Sequence, residues 1–136
     1  MKDLDAMDSM EKMLVQKAYQ RQAPINGSLE LLPLCNMNCD MCYVRLSRVV
    51  MEQKGRLRTK EEWISLAHQM KDAGILFLLL TGGEPLLFPG LKELHIELQN
   101  MGMILTINTN GTMINEKWAD FFQKQNLQLR HGQNFP

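Results

Sequence analysis

Cysteine is missing from nearly all of this 136-residue chain, because its three cysteines lie within eight residues of one another. No cysteine is left elsewhere to bridge distant segments, and an odd number cannot pair completely. The distribution argues against a disulfide framework and is more typical of a metal site.

Long apolar runs are also missing. The longest, residues 75–80, is far too short for a helix that crosses a bilayer, which needs roughly 20 apolar residues. The first five residues carry two acidic side chains where a secretory signal has a basic start and an apolar core. We therefore expect a cytoplasmic protein with no membrane partner.

Net charge is the third absence, since Lys plus Arg and Asp plus Glu number 15 each. Without a strong global field the chain is not expected to bind nucleic acid. Its 45% apolar and 22% charged residues match ordinary globular usage. The chain is therefore expected to form one domain with a core of its own.

Three strand-and-helix units follow an N-terminal helix that is predicted over residues 5–21. The strands are predicted at residues 28–34, 75–80 and 103–107. The second is so apolar that it is typical of a parallel strand covered on both faces.

Helix boundaries can be predicted from capping and breaking residues. A capping box formed by Thr59 and Glu62 starts the helix after a polar, basic connection over residues 43–58. Single residues set the other predicted helix boundaries: these are Gly74, Pro89, Gly102 and Asn115.

Alternating strands and helices predict an α/β fold with a parallel sheet. The loops that leave the carboxyl ends of parallel strands lie at one edge of the sheet. Here those loops are the cysteine run, the Gly-Gly-Glu-Pro segment and the Asn-Thr-Asn-Gly turn at residues 108–111. We expect the functional site where they converge.

Residues 123–136 do not continue this pattern. They contain no apolar run that could be buried on both faces, so no fourth strand is predicted there. The predicted organisation is an N-terminal helical extension at residues 1–27, a core of three units at 28–122 and an atypical tail. We expect that the chain stops early in this tail or leaves its proper reading frame.

Cys35, Cys39 and Cys42 have the spacing C-x3-C-x2-C. Three thiolates on one short loop can hold three corners of a four-iron cluster and leave the fourth iron open for chemistry. A zinc site would need a fourth ligand, and His68, His95 and His131 are remote in sequence. A dithiol redox pair would leave Cys35 unexplained, and three core cysteines grouped by chance is the remaining alternative.

Gly82, Gly83, Glu84 and Pro85 form the turn after the second strand. Glycine lets the backbone come close to a ligand, and Pro85 makes the turn rigid. Carbonyl oxygens and the Glu84 carboxylate can satisfy an ammonium group, which only donates hydrogen bonds. An ordinary strand-to-helix turn is the alternative.

The cysteine spacing, the aromatic Tyr43 directly after it and the Gly-Gly-Glu-Pro turn some forty residues later together resemble the radical S-adenosylmethionine (radical SAM) superfamily. The resemblance covers roughly residues 28–122. It implies the first half of a partial (β/α)6 TIM-like barrel.

The resemblance implies that Cys35, Cys39 and Cys42 bind a [4Fe-4S] cluster whose unique iron is chelated by SAM. Reductive cleavage of SAM then yields methionine and a 5′-deoxyadenosyl radical that abstracts a substrate hydrogen. The Gly-Gly-Glu-Pro segment would receive the SAM amino group, and Tyr43 would lie near the adenine. No catalytic residue beyond the cluster ligands can be assigned.

The relatives that this resemblance suggests modify peptides or mature cofactors, so a small-molecule or peptide substrate is expected. A reduced flavodoxin or ferredoxin would supply the electron. Two alternatives stay open: a non-catalytic iron–sulfur module for electron transfer or redox sensing, and an inactive fragment of a longer enzyme. Open sheet edges lead us to expect an isolated chain that is poorly stable or oligomeric.

Overall fold

The computed structural model describes residues 9–125 and 128–131, and within these ranges it contains one four-stranded sheet. All neighbouring strands are parallel and follow one another in chain order. The strands are β1 (Asn26–Glu30), β2 (Phe77–Thr81), β3 (Ile104–Thr109) and β4 (Gln128–His131).

Helices connect the strands as the parallel arrangement requires. They are α1 (Ser9–Arg21), α2 (Arg48–Lys54), α3 (Lys60–Ala73), α4 (Leu91–Asn100) and α5 (Glu116–Gln125), with a short 3-10 helix at Pro85–Leu87. The predicted N-terminal helix is present from Ser9, and residues 5–8 lie outside the described part. None of the helices described is long and apolar enough to cross a membrane.

The predicted helix boundaries of α3 are confirmed. The Thr59 hydroxyl accepts a hydrogen bond from the Glu62 N–H, and the Glu62 carboxylate accepts one from the Thr59 N–H. Gly74 ends the helix in the left-handed region at φ 111°. Both ends of α3 were therefore encoded by local residues.

Two predicted boundaries around α4 and α5 are also confirmed, and one is wrong. Gly102, at φ 86°, follows the end of α4, and the Asn115 side chain accepts a hydrogen bond from the Trp118 N–H at the start of α5. Pro89 does not lie in the first turn of α4, which begins at Leu91 after Gly90. The proline at a helix start is Pro85 instead.

The first strand ends earlier than predicted, at Glu30 rather than at residue 34. The Leu31 N–H still donates to the Thr81 carbonyl, but the chain then turns to contact the loop that follows β2. Leu31 and Leu32 are buried there without belonging to the ladder. The apolar pattern marked burial correctly, and it could not distinguish a strand from a buried extension.

The core covers one face of the sheet. Alternate side chains of β2 and β3 (Leu78, Leu80, Leu105 and Ile107) pack in one cluster with residues of α3, α4 and α5. The intervening residues, such as Leu79 and Thr106, are only half-buried. In the part of the chain that the structure describes, the expectation that β2 is covered on both faces is therefore wrong, because its second face is only half-buried.

The expectation that no fourth strand follows α5 is also wrong. Backbone pairing continues from β3 to β4, with Ile107 opposite Leu129 and Thr109 opposite His131. A strand at the edge of a sheet is not buried on both faces, so it does not need a continuous apolar run. The expectation that the chain stops early or leaves its proper reading frame in this region stays a prediction.

Candidate functional site

Three loops meet at the carboxyl edge of the sheet, and hydrogen bonds join them to one another. The first contains the three cysteines and is called the thiol loop here (residues 35–42). The second is the Gly-Gly-Glu-Pro segment, and the third begins at the end of β3 with Thr109 and Asn110. The predicted convergence is thus present in the structure.

The two glycines of the second loop lie against the chain that leads into the thiol loop. The Gly83 N–H donates to the Leu32 carbonyl at 2.6 Å, and the Glu84 N–H donates to the Leu34 carbonyl at 2.8 Å. A Cβ on Gly83 would overlap the Leu34 carbonyl, and one on Gly82 would overlap that of Leu32. Glycine is therefore required at both positions by close contact with backbone carbonyls of the protein itself. The predicted close approach of a ligand to these glycines stays a prediction.

Glu84 is fully buried, with none of its surface exposed. Its Oε1 accepts hydrogen bonds from the Thr109 hydroxyl at 2.6 Å and from the Leu86 N–H at 3.1 Å. Its Oε2 accepts one from the Asn110 N–H at 2.9 Å. The carboxylate thus fastens the end of β3 to the end of β2, and its use for an ammonium group stays a prediction.

Asn110 carries the connection onward to the thiol loop. Its Nδ2 lies 2.8 Å from Oδ1 of Asn36 and 3.7 Å from Sγ of Cys35. Its Oδ1 accepts hydrogen bonds from the N–H and the hydroxyl of Thr112, at 3.0 and 2.7 Å. Thr112 in turn accepts from Asn36 at 2.8 Å.

We call this group of five residues the anchor network: Glu84, Thr109, Asn110, Thr112 and Asn36. Sequence reasoning placed the turn at residues 108–111 on the right edge, without roles for Asn36 or Thr112. The sequence signal that could have identified these two residues is that polar residues follow strands whose carboxyl ends share one edge of the sheet.

The cysteines are all free thiols in this structure. Cys35 is half-buried, whereas Cys39 and Cys42 are exposed. Backbone N–H groups of Met37 and Arg45 lie 3.4 Å from the sulfurs of Cys35 and Cys42 respectively. Hydrogen bonds of this kind stabilise thiolate ligands.

Among the residues that the structure describes, no group of three His, Cys, Asp or Glu side chains converges so as to hold a metal ion. The thiol loop therefore offers three sulfur donors without being closed around a metal. Soft sulfur donors suit an iron–sulfur cluster or zinc far better than Mg²⁺ or Ca²⁺. The donor set fits the implied cluster, and its ligation by these cysteines stays a prediction.

Tyr43 stands apart from the other predicted site residues. Its side chain is 91% exposed and lines a pocket of about 460 Å³ together with Glu30, Arg58 and Trp63. Its predicted position beside an adenine remains a prediction.

Three of the arginines that follow the thiol loop contact other side chains of the domain. Arg56 pairs with Glu62 at 2.8 Å, and hydrogen bonds from Arg56 and the Thr59 N–H lower the pKa of Glu62 to about 2. The Arg58 guanidinium lies 5.7 Å from the centre of the Trp63 ring. Arg45 reaches back to Asn38 within the thiol loop at 3.3 Å.

The family model described as the Radical SAM superfamily matches residues 29–133. A relative in Bacillus subtilis, the sporulation killing factor maturation protein SkfB, is 30% identical over 97 residues, which are 71% of this chain and 22% of that protein. An S-adenosylmethionine-dependent nucleotide dehydratase of Lacinutrix mariniflava is 34% identical over 119 residues, which are 83% of this chain and 24% of that one.

Solved structures agree with these matches. The chain is similar to Streptococcus suis SuiB bound to precursor peptide SuiA, with a TM-score of 0.66 and 20% identity, over 91% of this chain and 29% of that one. SuiB bound to S-adenosylmethionine gives a TM-score of 0.63 at 19% identity, over 95% and 30% of the two chains. These likenesses confirm the predicted α/β fold of parallel βα units. The chain spans about a quarter of the length of these proteins.

Proposed function

The chain belongs to the radical SAM superfamily of enzymes, and from that membership we propose that it binds a [4Fe-4S] cluster and SAM for the generation of a 5′-deoxyadenosyl radical. The observation that carries the proposal is the joining of the thiol loop to the ends of β2 and β3 at one sheet edge. This edge is where parallel α/β folds bind their ligands.

Cys35, Cys39 and Cys42 would hold the cluster. When bound, such a cluster supplies the electron that cleaves SAM to methionine and the 5′-deoxyadenosyl radical. The protein's own contribution is to position the sulfurs and surround them with N–H donors. The exposure of Cys39 and Cys42 leaves both free to turn toward a metal.

The Gly82–Gly83 pair would receive the amino group of SAM through its carbonyl oxygens, because an ammonium group only donates hydrogen bonds. Glu84 would serve this role indirectly, since its carboxylate already accepts three hydrogen bonds. Pro85 starts the buried 3-10 helix that fixes this segment. We assign Tyr43 to the adenine side of the same site.

The substrate class that we propose is a peptide or a cofactor precursor. The name of SkfB describes a killing-factor maturation protein, and SuiB was solved with a precursor peptide. A reduced flavodoxin or ferredoxin would deliver the electron. These assignments concern the complete enzyme, because the matched segments make up only 22% and 24% of the two relatives.

Anaerobic reconstitution of the chain with iron and sulfide, followed by EPR spectroscopy, tests this function. We expect a reduced [4Fe-4S]⁺ signal that changes when SAM is added. A signal indifferent to SAM would favour the non-catalytic electron-transfer alternative, and preferential binding of tetrahedral zinc would overturn both.

A matched pair of variants locates the site. Cys39→Ala should abolish the EPR signal, whereas Asn38→Ala, in the same loop and beside it, should retain the cluster. Equal cluster content in the two variants would contradict the assignment of the thiol loop.

A further inference from the structure

Asn110 joins the end of β3 to the first cysteine of the thiol loop. An amide nitrogen carries two hydrogens, so Nδ2 can donate to Asn36 and to the sulfur of Cys35 at the same time. We propose that Asn110 is a positioning residue that holds Cys35 in place and raises the reduction potential of the cluster through an N–H···S hydrogen bond. This inference rests on the proposed function.

The orientation of the Asn110 amide is set by Thr112. Both the N–H and the hydroxyl of Thr112 donate to Oδ1 of Asn110. If the amide were rotated by half a turn, its NH₂ group would face the Thr112 N–H, and two donors would be opposed. The NH₂ group is therefore held on the side of Cys35.

The position of Asn110 is set by the core rather than by the thiol loop. Its backbone N–H donates to the buried Glu84 carboxylate, which also accepts from the neighbouring Thr109. Asn110 and Cys35 are 75 residues apart in sequence. A rigid part of the domain thus reaches one ligand of an otherwise exposed loop.

The three cysteines are not equivalent in this respect. Cys35 accepts from its near neighbour Met37 and from the distant Asn110, whereas Cys42 accepts from its near neighbour Arg45. Cys35 is also the least exposed of the three. Within the described residues, Cys35 is therefore the ligand that the fold itself holds.

A hydrogen bond to a ligand sulfur stabilises negative charge on the cluster. The reduced form, [4Fe-4S]⁺, carries one electron more than [4Fe-4S]²⁺, so the donor stabilises the reduced form more and raises the potential of this couple. Removal of the donor should lower the potential and loosen the ligand.

The test compares the reconstituted full chain with Asn110→Ala and Asn110→Asp, in redox titrations against dithionite followed by EPR. Both variants should shift the midpoint potential to more negative values, the Asp variant further because its negative charge disfavours the added electron. Asp also keeps the acceptor for Thr112, so it serves if the Ala variant misfolds. Unchanged midpoint potentials in both variants would overturn the proposal.

Thr112→Val is the matched control. Valine removes the hydroxyl that contacts Asn110 and Asn36 but keeps the backbone N–H, which still donates to Oδ1 of Asn110 and holds the amide in the same orientation. The N–H···S hydrogen bond should therefore remain, and the midpoint potential should stay closer to that of the parent. Loss of iron to a chelator should be on the order of 10-fold faster in Asn110→Ala than in the parent. A Thr112→Val shift as large as that of Asn110→Ala would assign the effect to the loop in general and overturn the specific role.

A metal-free measurement separates this inference from the proposed function. Iodoacetamide labelling of the unloaded chain, at a pH where all three thiols are ionised, reports access to each sulfur by mass spectrometry. Cys35 should react more slowly than Cys39 in the parent, and the ratio of the two rates should approach one in Asn110→Ala. An unchanged ratio would overturn the contact, even if the parent chain binds no cluster.

Discussion

The anchor network and the thiol loop meet at Asn36 at one edge of the sheet, yet the rest of the two groups is built in opposite ways. In the network a fully buried carboxylate accepts three hydrogen bonds, and both polar atoms of the Asn110 side chain are hydrogen-bonded. In the loop two of three sulfurs face solvent. The anchor network is thus fixed by buried hydrogen bonds, whereas the thiol loop, which would bind the metal, is largely exposed.

The largest expected effect on stability comes from a substitution of Glu84, at the centre of the anchor network. Glu84→Ala should lower the free energy of unfolding by about 4 kcal/mol, because three donors, two of them in buried hydrogen bonds, lose their carboxylate acceptor. Urea denaturation of the unloaded chain measures this change. A loss below about 1 kcal/mol would show that the network does not stabilise the fold.

Gly83→Ala should have the next largest effect, about 3 kcal/mol, since the new Cβ would overlap a backbone carbonyl that cannot move aside easily. The control is Gly55→Ala: no atom lies near a Cβ there, and the positive φ alone costs about 1 kcal/mol. Equal losses for the two variants would contradict a specific contact with Leu34.

A third prediction concerns the loss of stability at acidic pH, and it involves a residue outside the anchor network and the thiol loop. His95 on α4 is fully buried beside Phe121, and neither ring nitrogen has a hydrogen-bond partner in the part of the chain described. Burial lowers its pKa from 6.5 to about 4. Between these values the unfolded chain binds a proton that the folded chain does not.

Stability should therefore fall as the pH decreases from about 6.5 to about 4, by on the order of 2–3 kcal/mol, and change little from this residue above or below that window. Denaturation of His95→Leu should show a weaker dependence over the same range. His68→Leu, at an exposed position on α3, is the control and should retain the dependence of the parent. If both variants behave like the parent, the acid sensitivity does not come from His95.

The smallest effect on stability is expected in the thiol loop. Cys39→Ala should change the stability of the unloaded chain by less than about 0.5 kcal/mol, because the side chain is exposed. The same urea denaturation measures it. A loss comparable to that of Glu84→Ala would mean that the thiol loop is as structural as the network and would remove the contrast between them.

Features with a local cause were predictable from the sequence. The capping box of α3 and the glycine ends of α3 and α4 depend on residues a few positions apart, and each was found where predicted. The shared edge of the three loops followed from strand–helix alternation. Family membership followed from the cysteine spacing and the Gly-Gly-Glu-Pro turn.

Features with a distant cause were not predictable. The partner of Gly83 is a carbonyl some fifty residues earlier, and nothing near Gly83 in the sequence identifies it. The direction of the Glu84 carboxylate likewise depends on the register between β2 and β3. The fourth strand was missed because an edge strand needs backbone partners rather than a continuous apolar pattern.

The hydrogen bond between Asn110 and Cys35 also determines when, during protein synthesis, Cys35 can be held in place. During synthesis Cys35 leaves the ribosome 75 residues before the asparagine that holds it. We expect nascent chains stalled before Asn110 to show equal labelling of Cys35 and Cys39, and longer ones to protect Cys35. In the finished domain, Cys35 would then be held in place before the proposed cluster is inserted.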